Sequence, residues 1–287
     1  MKALLSERAF AKINLTLRVL GRRADGYHEL ESLVAFADTA DALTLEPGLA
    51  DGLEMSGPFA GKSGRVDDNL VLRSLAELRR QIPSLKGGRF RLEKNLPVAA
   101  GVGGGSADAA AALRLLARSN GIALDDSRLM VAARAVGADV PVCLDSRPRI
   151  MRGIGEVLSA PLDLPRMPAV LVNPGVAVVT RDVFGKFKSE RAGLGLDRVP
   201  TNIGALIELL KQHDNDLTVA ASACAPVVGE VLGALRSASG SALARMSGSG
   251  ATCFALFNSR AQAETAARQL ADERGNWWIR AAAIGAV

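Results

Sequence analysis

The chain has 287 residues, 48% of them hydrophobic and 23% charged, the make-up of a globular protein long enough to bury a core as one large domain or two smaller ones. Its net charge of +5 suits anionic small substrates, but aromatics are only 4% and the basic residues form no aromatic-studded stripe, which argues against nucleic acid as a partner. No stretch has the apolar length of a signal peptide or a bilayer span, so the expectation is a cytoplasmic protein with no membrane partner.

From Phe10 to Leu20 the sequence alternates, with Ile13, Leu15, Leu17 and Val19 apolar and Lys12, Asn14, Thr16 and Arg18 polar, which predicts a half-buried strand. Lys12 and Asn14 then share a face, roughly 7 Å apart along the strand, either as a functional pair or as part of a solvated face. Residues 21–26 read as a turn that delivers Tyr27, the only tyrosine, and His28. Leu30 to Leu45 follows as one or two strands, Pro47 to Gly64 as loop or short edge strands, Asn69 to Arg80 as a helix, and Arg89 to Lys94 as a short strand.

The next stretch, Asn95 to Leu113, runs a glycine cluster into an alanine- and leucine-rich helix opened by Ser106 or Ala107. Gly101, Gly103, Gly104 and Gly105 let main-chain N–H groups approach an anion closely, and a helix start adds unpartnered N–H groups and a favourable dipole. A phosphate of ATP would fit there; so would no ligand, if the loop merely packs a small-residue helix against a sheet. Two commoner glycine motifs fail. Ser106-Ala107-Asp108 follows the cluster where a P-loop needs Lys-Ser or Lys-Thr, and the third glycine of a dinucleotide fingerprint would fall at Ser106.

Asp125 or Asp126 can cap a helix through Leu129 and Val136 that ends at Gly137. Pro141 biases Val140 away from a helix interior, leaving Asp139 at a junction, as a helix cap, a catalytic group, or both. Pro168 to Pro174 reads as a buried strand, Lys186 to Pro200 as a mobile loop, and Ile203 to Leu210 and Pro226 to Leu235 as helices. Met246 to Phe257 is a small-residue segment, tight turn or ligand loop, feeding an apolar strand, and Asn276-Trp277-Trp278 begins a last strand with the tryptophans in the core. Cys143, Cys224 and Cys253 are far apart among small or apolar neighbours, which predicts buried, reduced thiols, and two histidines make a multi-histidine metal site improbable.

In this order the features resemble the GHMP kinases. The words that carry the resemblance are Ala11-Lys-Ile-Asn-Leu-Thr-Leu17, Asp25-Gly-Tyr-His-Glu-Leu30, the Pro97 to Ala112 loop and helix, Gly137-Ala-Asp-Val-Pro141, Gly153-Ile-Gly-Glu156, Asn215-Asp-Leu217 and Gly248-Ser-Gly250. They span nearly the whole chain, and the Asp-Gly-Tyr-His word is specific to the branch that phosphorylates the 2-hydroxyl of 4-diphosphocytidyl-2-C-methyl-D-erythritol.

The resemblance implies an α+β, two-domain GHMP kinase fold. Residues 1–155 would form a ribosomal protein S5 domain 2-like ATP-binding domain, residues 156–287 a ferredoxin-like domain, with the substrate in the cleft between them. It implies Asp139 as the base that takes the hydroxyl proton and Lys12 as its cationic partner. It places the ATP phosphates at Gly101, Gly103, Gly104, Gly105 and Ser106, with Pro97, Ala99, Ala100 and Val102 in the same loop, and Asn69 and Asp108 where nucleotide contacts occur.

Asp108 stands where relatives often carry asparagine, and an acid beside phosphate is repulsive unless it faces away or helps to hold metal. The pyrimidine would be sandwiched by Tyr27 and Phe184 with His28 on its edge, and Asn14 and Thr180 would add polar contacts. ATP and Mg²⁺ are the implied cofactors, the metal near Ser106, and the partners are ATP and a cytidine diphosphate-linked polyol, with the chain a monomer or homodimer. Two rivals are a GHMP kinase for a small alcohol such as homoserine or mevalonate, and a nucleotide-binding protein without catalysis. Val142-Cys143, where relatives carry bulkier aromatics, implies only a packing adjustment.

Overall fold

The computed structural model describes residues 4–188, 195–196 and 198–287. In chain order it contains β1 (Leu5–Asn14), β2 (Arg18–Arg22), β3 (His28–Pro47), β4 (Gly52–Ser56), α1 (Leu70–Gln81), β5 (Gly88–Glu93), α2 (Gly104–Asn120), α3 (Ser127–Val136) and α4 (Val140–Cys143). The second half adds β6 (Arg149–Gly153), β7 (Val157–Leu158), β8 (Met167–Asn173), α5 (Thr180–Lys186), α6 (Ile203–Gln212), α7 (Thr218–Cys224), α8 (Val227–Ser237), β9 (Ser241–Met246), β10 (Cys253–Phe257), α9 (Arg260–Glu273) and β11 (Trp278–Gly285).

The chain divides into two compact units, each drawn from several segments: residues 1–11, 40–98 and 103–145 in the first, and 12–39, 99–102 and 146–287 in the second. In the first, β5 pairs antiparallel with the second half of β3, from Ala42↔Glu93 to Pro47↔Gly88, and parallel with β4. Helices α1, α2, α3 and α4 pack on one another around Val71, Leu75, Leu78, Leu113, Leu116, Leu129 and Val136, all buried. Helices α1 and α3 begin where the sequence offers a cap: Asn69 accepts from the N–H of Val71 at the start of α1, and Asp126 from that of Arg128 at α3.

In the second unit β11, β8, β10 and β9 are antiparallel neighbours, and β11 joins the first half of β3 at Ala37 and Phe36. Helices α8 and α9 cover this sheet, burying Val170, Val172, Val231, Leu235, Phe257 and Leu270 in one cluster. β2 and β6 pair with the first half of β3.

Several expectations change. The segment expected as one half-buried strand from Phe10 to Leu20 is two strands, and from Ala11 to Val19 both faces are buried. The polar face can enter the interior because its groups find partners. Asn14 donates to Ser32 Oγ, Thr16 Oγ1 accepts from Leu33 N–H, and Arg18 lies 3.9 Å from Glu31. Residues 30–45 lie in the single strand β3, and β4 is a strand within the stretch left between loop and edge strand.

The helix placed at Ser106 or Ala107 begins at Gly104, since Ala107 N–H already bonds to Gly103 O at 2.8 Å. Val140, expected outside a helix interior, is the first residue of the short α4, where proline at the next position is tolerated and Asp139 is the N-cap. Cys143 and Cys253 are buried, but Cys224 is only partly so. Trp277 and Trp278 are half-buried, lying under the guanidinium groups of Arg274 and Arg280. Helices α5, α7 and α9 and strands β6, β7 and β9 were not anticipated, and residues 189–194 and 197 of the expected 186–200 loop lie outside the described residues.

Candidate active site

β1 ends in Asn14, and the second unit fixes that residue from two sides. Its N–H donates to Ser247 Oγ (3.0 Å), and its Nδ2 donates to Ser32 Oγ (2.7 Å), whose hydroxyl donates to Thr16 O. The buried Oδ1 of Asn14 has no hydrogen-bond partner among the described residues, so the orientation that Ser32 imposes leaves an acceptor ready for an O–H. Lys12 is also buried, and its backbone N–H donates to Val102 O at 2.9 Å.

The segment between β9 and β10 ties these groups together. Ser247 Oγ donates to Gly101 O (2.8 Å), and Thr252 N–H donates to Ala100 O (3.0 Å). Gly101 has φ +74°, and a Cβ there would strike the carbonyl of Ser247, so glycine is required for both angle and approach. Ser249 Oγ lies 2.9 Å from the Thr180 hydroxyl at the start of α5. Asn215 holds the segment, its Nδ2 donating to Met246 O and Gly248 O at 2.8 Å each and its Oδ1 accepting from Leu217 N–H. Asp216 accepts from Val19 N–H. Ser247, Ser249 and Asn215 had no predicted role; the Asn215-Asp-Leu217 and Gly248-Ser-Gly250 words were the available signal.

Within the same unit a cavity of about 1050 Å³ is lined by Tyr27, His28, Thr180 and Phe184, four of the five residues expected to meet the substrate. His28 stacks on Phe184 with ring centroids 4.7 Å apart and planes 23° from parallel, and Tyr27 is exposed. The turn that presents Tyr27 is closed by Arg23 N–H to Tyr27 O and by Tyr27 N–H to Asp25 Oδ1. Arg22, Arg181 and Lys188 also line the cavity, cations that no sequence motif had marked.

In the first unit α2 opens on Gly103, at φ +59°, which has no side chain to cap the first turn. Gly104, Gly105 and Ser106 form that turn, with Gly105 exposed and Ser106 half-buried, and Pro97 upstream is buried. Asn69 is held as the cap of α1, with Nδ2 also 3.4 Å from Met55 Sδ.

Asp108 is turned inward. Its Oδ2 accepts from Lys94 Nζ (2.6 Å), as does Asp41 Oδ2 (2.5 Å), and all three residues are buried. Burial, reinforced by the charge of Asp41 against the opposing pull of Lys94, pushes the Asp108 carboxyl up to about 7. Lys94, set between two carboxylates that outweigh the cost of its burial, is raised. Asp139 occupies the N-cap position of α4 and is half-buried. The far end of α4 is pinned by Arg114, which donates to Cys143 O and Leu144 O and is itself paired with Glu7.

Two family models match the chain, the GHMP kinases N terminal domain over residues 69–147 and the GHMP kinases C terminal model over residues 195–276. A protein of Rhodopseudomonas palustris (strain BisA53) named 4-diphosphocytidyl-2-C-methyl-D-erythritol kinase is 54% identical over 98% of this chain and 97% of its own length. A protein of the same name from Methylorubrum extorquens is 53% identical over 96% of this chain and 98% of its own. The chain belongs to the GHMP kinases, in the 4-diphosphocytidyl-2-C-methyl-D-erythritol kinase family.

The solved structures agree: a crystal structure of 4-(cytidine 5'-diphospho)-2C-methyl-D-erythritol kinase is 37% identical with a TM-score of 0.80, covering 98% of this chain and 99% of that one. Homoserine kinase from Cytophaga hutchinsonii shares the fold at 20% identity, with a TM-score of 0.73 over 100% of this chain and 96% of that one. As a GHMP kinase the chain is a phosphotransferase that uses ATP. The N-terminal family model takes in Asn69, the glycine loop and Asp139, and the C-terminal one takes in Asn215 and the 246–252 segment. Lys12, Asn14, Tyr27, His28, Thr180 and Phe184 fall outside both, within the stretch matched only by the full-length relatives.

Proposed function

We propose that this GHMP kinase transfers the terminal phosphoryl group of ATP to the 2-hydroxyl of 4-diphosphocytidyl-2-C-methyl-D-erythritol. The products are the 2-phosphate and ADP, in the non-mevalonate route to isoprenoid precursors. The observation that carries the reading is the cavity of Tyr27, His28 and Phe184 in a chain 54% identical, end to end, to a kinase of that name. Flat rings suit a pyrimidine face, and the imidazole suits its edge. Asn14 and Thr180 contact the polyol, the first through its unused Oδ1.

An alcohol is a weak nucleophile until its proton has somewhere to go, and Asp139 accepts that proton as the bond to phosphorus forms. Lys12 orients that carboxylate and offsets charge on the transferring group. Residues 97–106 cradle the phosphates of ATP with main-chain N–H groups, with Asn69 beside the nucleotide. Mg²⁺ takes most of its oxygens from phosphates and water, so one hydroxyl is what such a site asks of the chain, and Ser106 in the first turn of α2 fits. When bound, the metal neutralises phosphate charge.

Residues 1–155 serve ATP and the base and bring Asn14, Tyr27 and His28 to the substrate, residues 156–287 add Thr180 and Phe184, and the protein works in the cytoplasm as a monomer or homodimer. Phosphorus NMR of the reaction mixture tests the reading. A new phosphomonoester resonance on the methylerythritol C2 oxygen, with the diphosphate intact, is expected; phosphate on another oxygen, or none, contradicts it.

A further inference from the structure

Both ends of the glycine loop are joined through one buried ammonium group. Lys94 directly precedes the loop and is itself anchored, its N–H donating to Ser56 O and its carbonyl accepting from Phe59 N–H. Its Nζ reaches Asp108, on α2 beyond the loop, and Asp41 on β3. Asp41 in turn uses its other oxygen to accept from the N–H groups of Asn95 and Leu96, the first residues of the loop. A Cβ on Gly104 would lie 3.7 Å from Lys94 Nζ, so the cluster sits directly behind the first turn of α2.

Two carboxylates and one ammonium are a costly way to fill a core, since apolar groups of the same volume are often as stable or more so. What the ions supply and apolar groups do not is a fixed position for each partner. The geometry points to Asp41, Lys94 and Asp108 as positioning residues that set the span of the phosphate loop and so its affinity for ATP. This rests on the reading that residues 97–106 hold the ATP phosphates. Asp108 then acts through Lys94 without touching the nucleotide.

The test is a double-mutant cycle with Asp108→Leu, Lys94→Met and the double variant. It reads the Kd of Mg·ATP by calorimetry, and kcat and KM for ATP and for the cytidylyl polyol. Each single variant is expected to raise Kd and KM for ATP about tenfold, the scale of one lost charge-assisted hydrogen bond, with KM for the polyol within about twofold. The double variant should match the singles, because cutting one tie twice costs nothing more.

Multiplying effects would mean that Asp108 meets the nucleotide itself, and unchanged ATP affinity would mean that the cluster only fills the core; either overturns the inference. Should Lys94→Met fail to fold, Asp108→Asn decides, since its amide oxygen can still accept from Nζ. ATP affinity within about threefold of wild type supports the tie, and a loss equal to that of Asp108→Leu contradicts it. Gly105→Asp separates the underlying reading: a carboxylate in the first turn of α2 should weaken ATP binding, and if it does not, the loop is not the phosphate site.

Discussion

A carboxylate that takes a proton from an alcohol must be reachable and held still, and Asp139 is half-buried at the head of a helix whose tail Arg114 pins. Asp139→Asn keeps the shape and removes the proposed base, so kcat should fall by about 10²- to 10⁴-fold while calorimetry still detects ATP. Phe184→Ala should instead raise KM for the cytidylyl substrate and leave KM for ATP unchanged in the same steady-state assay. Asp108 gives a pH signature. Its carboxyl rises from 3.8 to about 7 on folding, so across that window the folded state binds more protons than the unfolded chain. Stability therefore falls as pH rises from about 4 towards 7, and thermal unfolding of Asp108→Leu over this range should show a flatter profile. Lys94, also raised, contributes in the same sense, but its share is lost only at high pH. At this scale residue identity and spacing marked Lys12, Asn14 and Asp139 only as candidates, and the resemblance supplied their roles. That Asp108 faces away was one of two open readings, but its partners were not legible, because Lys94 and Asp41 are 14 and 67 positions away and no periodicity joins them.

Among elements, the 246–252 segment decides most. It touches the end of β1, the glycine turn and the start of α5 through Ser247, Thr252 and Ser249, and Asn215 is its support. Asn215→Ala would orphan two carbonyls, and a loss of about 1–3 kcal/mol is expected in denaturant unfolding. A lower kcat/KM should accompany it, because Asn14 and Gly101 lose their common anchor. The composition of this segment predicted a turn, but turn and ligand loop look alike until partners are known. β1 and β2 taught a related lesson. Alternation predicts which residues share a face, yet whether the polar face meets water depends on Ser32, Leu33 and Glu31 of β3, which the period of β1 does not encode. The short helices α5 and α7, seven residues each, lacked the length for a clear helical period.

For the molecule as a whole, order mattered more than any single motif. The glycine cluster alone admitted a plain packing loop, whereas its place after the Lys-Ile-Asn strand and before Gly-Ala-Asp-Val-Pro admitted one family, to which the full-length relatives assign the chain. Segment assignment was harder to read, since each compact unit gathers stretches far apart in sequence and both β1 and β3 contribute to both. The fold is shared with homoserine kinase, so the fold does not choose the alcohol; in the proposed reading Tyr27, His28 and Phe184, which line one cavity, do. The most direct measurement is ATP-to-ADP turnover by the purified protein with 4-diphosphocytidyl-2-C-methyl-D-erythritol, homoserine or mevalonate as acceptor, in wild type and Asp139→Asn. Turnover with the cytidylyl acceptor alone, lost in the variant, is the predicted result. Comparable turnover with homoserine or mevalonate, or an undiminished variant, would contradict it.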